Sequence, residues 1–329
     1  MRHLPIFLQL LLGFGLSLAM TICSVHGEPS QVTFSRQPGA IQIKFSNKPV
    51  AVYVYEDPDI PRPFFCNVHA PDGTQVTRNH PPVEGKDPAD HALLHPGIWM
   101  AFGDLAGADN WRNRDSVLHD GFVEKPTAEL GQGTFTVRNI YMKGNDRAKV
   151  LCREQCRVTF LVRPSGYLLL WESTFHPVAP NLAFGDQEEM GLGVRVASPI
   201  MVRRGGRILN SKGQLNEKQV WGKTADWCDY SGQIGDRWVG VTLMCDPKNF
   251  RPSWFHARDY GLLVANPFGR KAFGKGEPSR VPVTQEKPLR LGYAVFIHSA
   301  LDGKEPDLAE AYADYLQLLA RQELMQTDE

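Results

Sequence analysis

IQIKF, residues 41–45, sets Ile41, Ile43 and Phe45 against Gln42 and Lys44 in strict alternation. A period of two buries one face of an extended strand and wets the other, so this stretch predicts a β-strand. Leu289, Leu291, Tyr293, Val295 and Ile297 repeat the spacing late in the chain. Further strand-like runs lie at residues 50–55, 158–162, 167–171 and 239–244, and 30 glycines and 24 prolines punctuate the sequence around them. The pattern predicts an all-β fold. Its one exception is the tail, where Leu308, Tyr312, Tyr315 and Leu319 recur at helical spacing after Pro306, predicting an amphipathic helix over about residues 306–323. With no repeat or linker, residues 28–329 are expected to form a single domain.

The N-terminus reads as a secretory signal peptide over residues 1–27: Arg2 and His3 precede an apolar stretch from Leu4 to Ile22, and Val25 and Gly27 supply small residues for cleavage. The mature chain is then expected in the periplasm or outside the cell, with no membrane association beyond that leader. Thirty-six basic residues balance 36 acidic ones, so no net field recruits nucleic acid or an anionic membrane. Five cysteines follow the leader, an odd number. Cys152 and Cys156 can bridge only across a tight turn, because one extended strand would hold them ~13 Å apart.

Residues 90–111, DHALLHPGIWMAFGDLAGADNW, pack two histidines, three aspartates and two tryptophans into 22 positions. Burying so many polar groups together is costly unless they are used, which marks this segment as part of a site. RPFFCNVHAPDGTQVTRNHP from Arg62, WGKTADWCDYSG from Trp221 and WFHARDYGLLVANPFG from Trp254 have the same mixed character.

Together these four strings, in their order along the chain, give a chain that resembles the PmoA-like family of secreted bacterial proteins, often labelled "methane oxygenase PmoA". The resemblance spans nearly all of the mature chain. It implies a large two-sheet antiparallel β-sandwich similar to galactose mutarotase, a fold that binds carbohydrate on one concave sheet, followed by the C-terminal α-helix. It supplies no catalytic residues.

Those come from the chemistry of the motifs. His95, Glu189, Asp229 and His256 are the catalytic candidates, since sugar-ring opening or glycosidic cleavage requires one group to give a proton and another to take it. His91, Asp104, Asp109, Trp111, Arg195, Trp221, Tyr230, Arg258 and Asn266 are the substrate-binding candidates: aromatic faces stack on sugar rings while polar neighbours take the hydroxyls. His69, His80 and His298 read as structural. His91 and His95 stand four apart, but Pro96 and Gly97 oppose a helix, and a metal would need a third ligand such as His119, His176, His256, Asp90 or Asp104. No metal and no cofactor are assigned. The expected partner is a sugar or oligosaccharide, and the expected function is sugar processing by acid/base chemistry. The alternatives are a noncatalytic carbohydrate-binding protein and a metal-dependent oxygenase.

Overall fold

The computed structural model describes Met1, residues 31–301 and residues 304–327. The expected leader lies, Met1 aside, outside the described residues. Two large antiparallel sheets face each other. The first has nine strands, in the spatial order Val32–Gln37, Ala40–Phe45, Lys48–Val54, Phe64–Cys66, Ile98–Phe102, Met190–Arg195, Leu262–Asn266, Trp254–Arg258 and Lys223–Thr224. The second has eight: Arg207–Asn210, Trp227–Ile234, Arg237–Cys245, Leu289–Leu301, Gly166–Pro177, Val150–Arg163, Gln132–Met142 and Val117–Glu129. Chain neighbours pair as hairpins on the flanks, but the centre of the nine-stranded sheet joins strands far apart in sequence.

Alternation works as the sequence predicts. Ile41 and Ile43, Ile98 and Met100, and Leu192 and Val194 point into the space between the sheets, where they meet Val158, Leu169 and Val295. Leu289–Leu301 departs from a half-wet strand. Leu291, Tyr293, Val295 and Ile297 face the core, while Ala294 and Phe296 on its other face are also buried. The cause is the C-terminal helix, Leu308–Thr327, whose Leu308, Tyr315 and Leu319 seal that outer face with Leu168 and Leu170. Arg163 bonds Asp314 at 2.7 Å, and the Tyr312 hydroxyl donates to the Cys245 carbonyl at 3.2 Å, fixing the helix on the sheet.

Cys66, Cys152, Cys156, Cys228 and Cys245 are all free and buried. Cys152 and Cys156 lie in the uninterrupted strand Val150–Arg163, so the tight turn that a bridge needs is missing. Among the described residues no helix is long and apolar enough to cross a membrane.

Candidate functional site

One sheet is covered by the helix; the outer face of the other is covered by loops. Its floor is laid by four adjacent strands. Trp99 pairs in register with Gly193, and a β-carbon on Gly193 would stand 2.9 Å from the Trp99 ring and 3.1 Å from Trp111. Only glycine lets both indoles settle there. Trp99 and Trp111 meet edge to face at 5.2 Å and 61°, and both are fully buried. Trp111 is therefore packed floor, which corrects its expected role as an open stacking surface.

On this floor stands a stack of rings. His95 lies parallel to Trp99 at 5.2 Å, and His91 lies on its other face at 4.8 Å. The spacing of four pays off without a helix: the His95 amide donates to the His91 carbonyl at 2.9 Å, closing a single turn that superposes the imidazoles. Burial, reinforced by the positive charge of Arg195, pushes the His95 pKa well below the usual histidine value. It is a neutral ring, and neither nitrogen has a hydrogen-bond partner. His91 is half exposed, with Nδ1 3.0 Å from Asp90 Oδ2 and its ring parallel to Tyr260 at 6.2 Å. His119 and His176 belong to strands of the other sheet, so neither joins His91 and His95.

Three buried arginines hold the loop that carries these rings. Arg78 donates to the carbonyls of Pro88, Asp90, His91 and His95 at 2.6 to 3.2 Å. Arg62 donates to Leu94 at 2.6 Å and to Asn110 and Trp111 at 3.2 Å, tying that loop to the next one. Burial lowers Arg78 to about 10 and Arg62 to about 9. Arg195 donates from Nη2 to Asp90 Oδ1 at 2.9 Å and packs over Tyr260 at 4.7 Å. Burial pulls the Asp90 pKa upward, but the hydrogen bond with His91 and the charge of Arg195 hold it below the usual carboxylate value.

The opposite rim is acidic. Asn266, fully buried, donates to the carbonyls of Gln187 and Glu188 and accepts from the amides of Phe268 and Gly269. Its amide nitrogen shapes the 187–189 turn, and its oxygen shapes the turn that follows Asn266 itself. Glu189 pairs with Arg112, which Asp109 holds at 3.1 Å; burial nevertheless raises the Glu189 pKa. Glu188 Oε2 stands 3.6 Å from both His256 Nδ1 and Arg258 Nη2. Burial, with help from Arg258, depresses His256 to about 3. The ring is thus neutral and its approach to Glu188 is not an ion pair. Arg258 also donates to Glu217 at 2.9 Å and lies over Trp221 at 5.8 Å. Tyr260 links the two rims: burial raises its pKa, while Arg195 and Arg258 pull it down and Asp90 and Glu189 push it up.

The structure therefore brings together His91, His95, Arg195, Glu189, His256, Arg258 and Trp221. Asp109 supports the site through Arg112, and Asn266 through its turn. Asp104 is spent on its own loop, accepting the Gly107 amide at 3.0 Å. Asp229 and Tyr230 are corrections, since both stand on Trp227–Ile234 of the other sheet. Asp229 is buried against His298 at 2.9 Å and Thr242 at 2.8 Å. The Tyr230 hydroxyl spans the core to the Asp259 carbonyl at 3.0 Å. Arg62, Arg78, Arg112, Glu188 and Tyr260 were not singled out from sequence. All but Arg112 and Glu188 lie inside the quoted motifs, and a buried arginine in an apolar string was the available signal. Among the described residues no group of three or more His, Cys, Asp or Glu side chains could hold a metal ion.

No curated protein matches the sequence. Similar solved structures include the following two. One is a provisionally assigned kojibiose phosphorylase from the human microbiome, 8% identical, with TM-score 0.36, covering 90% of this chain and 36% of that one. This chain thus spans about a third of that protein's length. The other is a galactose mutarotase related enzyme from Lactobacillus acidophilus, 10% identical, with TM-score 0.36, covering 84% of this chain and 100% of that one. Residues 40–313 match a single family model, and the chain belongs to that family, DUF6807, a family of unknown function.

Proposed function

We propose that the loop-covered face of the nine-stranded sheet binds a carbohydrate and that the protein is an enzyme processing it by acid/base chemistry. One observation carries this reading. Glu189, a carboxyl with a raised pKa that feels the charge of the half-exposed His91, adjoins Glu188, which stands 3.6 Å from His256, an imidazole kept neutral by burial. A sugar-ring or glycosidic reaction needs a proton acceptor and a proton donor on one substrate, and groups tuned away from their ordinary pKa values suit those roles. Glu189 takes the proton, and the half-exposed His91 supplies one to the substrate. Trp221 and Tyr260, both partly exposed, offer ring faces to a pyranose, and Arg258 and Glu188 offer hydroxyl partners.

The four motifs support a likeness to the PmoA-like secreted proteins, and the apolar stretch within residues 1–27 supports a periplasmic or exterior location. Product analysis and calorimetry against a broad mono- and oligosaccharide panel test the function. Turnover that Glu189→Gln abolishes supports it. Binding that Glu189→Gln leaves intact, with no turnover of any panel member, reduces the protein to a carbohydrate binder. No binding and no turnover refutes both.

A further inference from the structure

We propose that the site takes a carboxylate-bearing sugar, whose carboxylate is received by Arg195 beside Asp90 under a roof made by His91 and Tyr260. This rests on the carbohydrate reading and narrows it to an acidic sugar.

Arg62, Arg78 and Arg195 are each no more than 3% exposed, and all three act on His95 as neighbouring positive charges. The carboxylate paired with Arg195 is Asp90, 2.9 Å away, which also stands 3.9 Å from Arg78 and is 39% exposed, while Asp87 acts on Arg78 and Asp109 on Arg62. A buried guanidinium whose ion-pair partner is partly exposed gains from further negative charge, which a bound anion brings.

The spare hydrogen-bonding capacity points the same way. Arg62 and Arg78 place both Nη groups on main-chain carbonyls. Arg195 does not: Nη1 and Nε are buried with no hydrogen-bond partner. Both nitrogens of the neighbouring His95 are also unpartnered, as are the indole N–H groups of Trp99, on which His95 stacks, and of Trp111 beyond it. Indole and guanidinium groups are donors only, and a neutral imidazole adds one more donor. A guest suited to this corner brings acceptors and negative charge. Sugar hydroxyls supply the first alone; a carboxylate supplies both. Asp90 already shows that a carboxylate fits against this guanidinium.

Entry requires only side chains to move. His91 sits at φ 51 in its turn with its ring covering His95, and Tyr260, which is not fully buried, covers Arg195. Rotating the two rings apart uncovers both groups without disturbing a strand.

The test is calorimetric titration of the full chain at pH 7 and low salt with three matched pairs, glucuronate and glucose, galacturonate and galactose, mannuronate and mannose, and with the 6-phosphates of the same hexoses. One acid is expected to bind at least about tenfold more tightly than its neutral partner, the gain from one charge-assisted hydrogen bond. Arg195→Gln should erase that ratio. Because Arg195 is buried, a second variant guards against misfolding: Asp90→Asn removes the competing carboxylate and should tighten acid binding at least about threefold. Equal affinity within every pair, tighter binding of a hexose phosphate, or no gain in Asp90→Asn overturns the proposal and leaves the carbohydrate reading standing. Failure of every sugar in this set and in the broad panel removes both.

Discussion

The imidazole of His95 lies face to face with the indole of Trp99, 5.2 Å between centroids and 14° from parallel. Its contribution to packing can be separated from its nitrogens. His95→Phe keeps a flat ring between His91 and Trp99 and should cost less than about 1.5 kcal/mol, whereas His95→Ala leaves a hole and should cost about 3 kcal/mol. Urea unfolding of the two variants measures the difference. Both should bind sugar more weakly than the parent, since neither supplies a ring nitrogen.

Acid should unfold this protein earlier than its carboxylates alone would dictate. Burial holds His95 well below the usual histidine pKa and His256 at about 3, and it lowers His69, His80 and His119 in the same direction. Unfolded histidines titrate near ~6.5. Between that value and the folded ones, the unfolded chain binds protons that the folded chain refuses. Stability is therefore full above about pH 6.5 and falls as pH drops, by up to about 1.4 kcal/mol per pH unit for each histidine. Glu189 acts oppositely: its raised folded pKa favours the fold below the ordinary carboxyl value, and that contribution is lost as pH rises through the folded one. Urea midpoints between pH 7 and pH 5 should decline on balance; a flat profile would mean the rings charge freely within the fold.

Asp229 and Glu189 should behave as opposites. Asp229→Ala strips the acceptor from His298, Ser231 and Thr242 in a sealed cluster, at about 3 kcal/mol or more. Glu189→Gln changes a partly exposed rim and should shift stability by less than about 1 kcal/mol while removing turnover. Melting curves and rate assays on the pair distinguish a scaffold group from a reacting one.

The five described thiols should ignore a membrane-impermeant aromatic disulfide reagent in the native protein and react once urea unfolds the chain. All are buried, and burial raises every one, Cys66 and Cys245 to about 12, so thiolate is scarce as well as hidden. Rapid native labelling at any of them, read by peptide mass, would contradict the packing.

Arg78→Met should loosen one loop more than it harms the sheets. Four carbonyls between Pro88 and His95 lose their donor, and amide exchange at Leu94 and His95 should accelerate at least about tenfold against an unchanged core strand such as Leu289–Leu301. Uniform acceleration everywhere would show that the arginine supports the whole fold instead.

The architecture was legible because alternation is local: Ile41, Ile43 and Phe45 announce a strand from five residues, and the tail announces its helix from a spacing of three and four. The limit shows at Leu289–Leu301, where Ala294 and Phe296 face a helix that no local pattern places there. For the site, residues 90–111 stood out because their polarity is too dense for a core. Which other segments share that face depends on strand order, and Ile98–Phe102, Met190–Arg195, Leu262–Asn266 and Trp254–Arg258 become neighbours only in the folded sheet. Asp229 was misplaced for that reason: its aromatic setting matched the motifs, but its strand belongs to the other layer. Tyr260 and Glu188 were missed because their significance lies in what surrounds them.

Arg62 reaches Leu94 with one Nη group and Asn110 and Trp111 with the other. A single cation thus bolts two walls together, and neither can be reshaped without disturbing its counterpart. Divergence toward new ligands is then channelled to the far bank, where Glu188, Arg258, Glu217 and Trp221 contact one another largely through side chains and can be exchanged piecemeal.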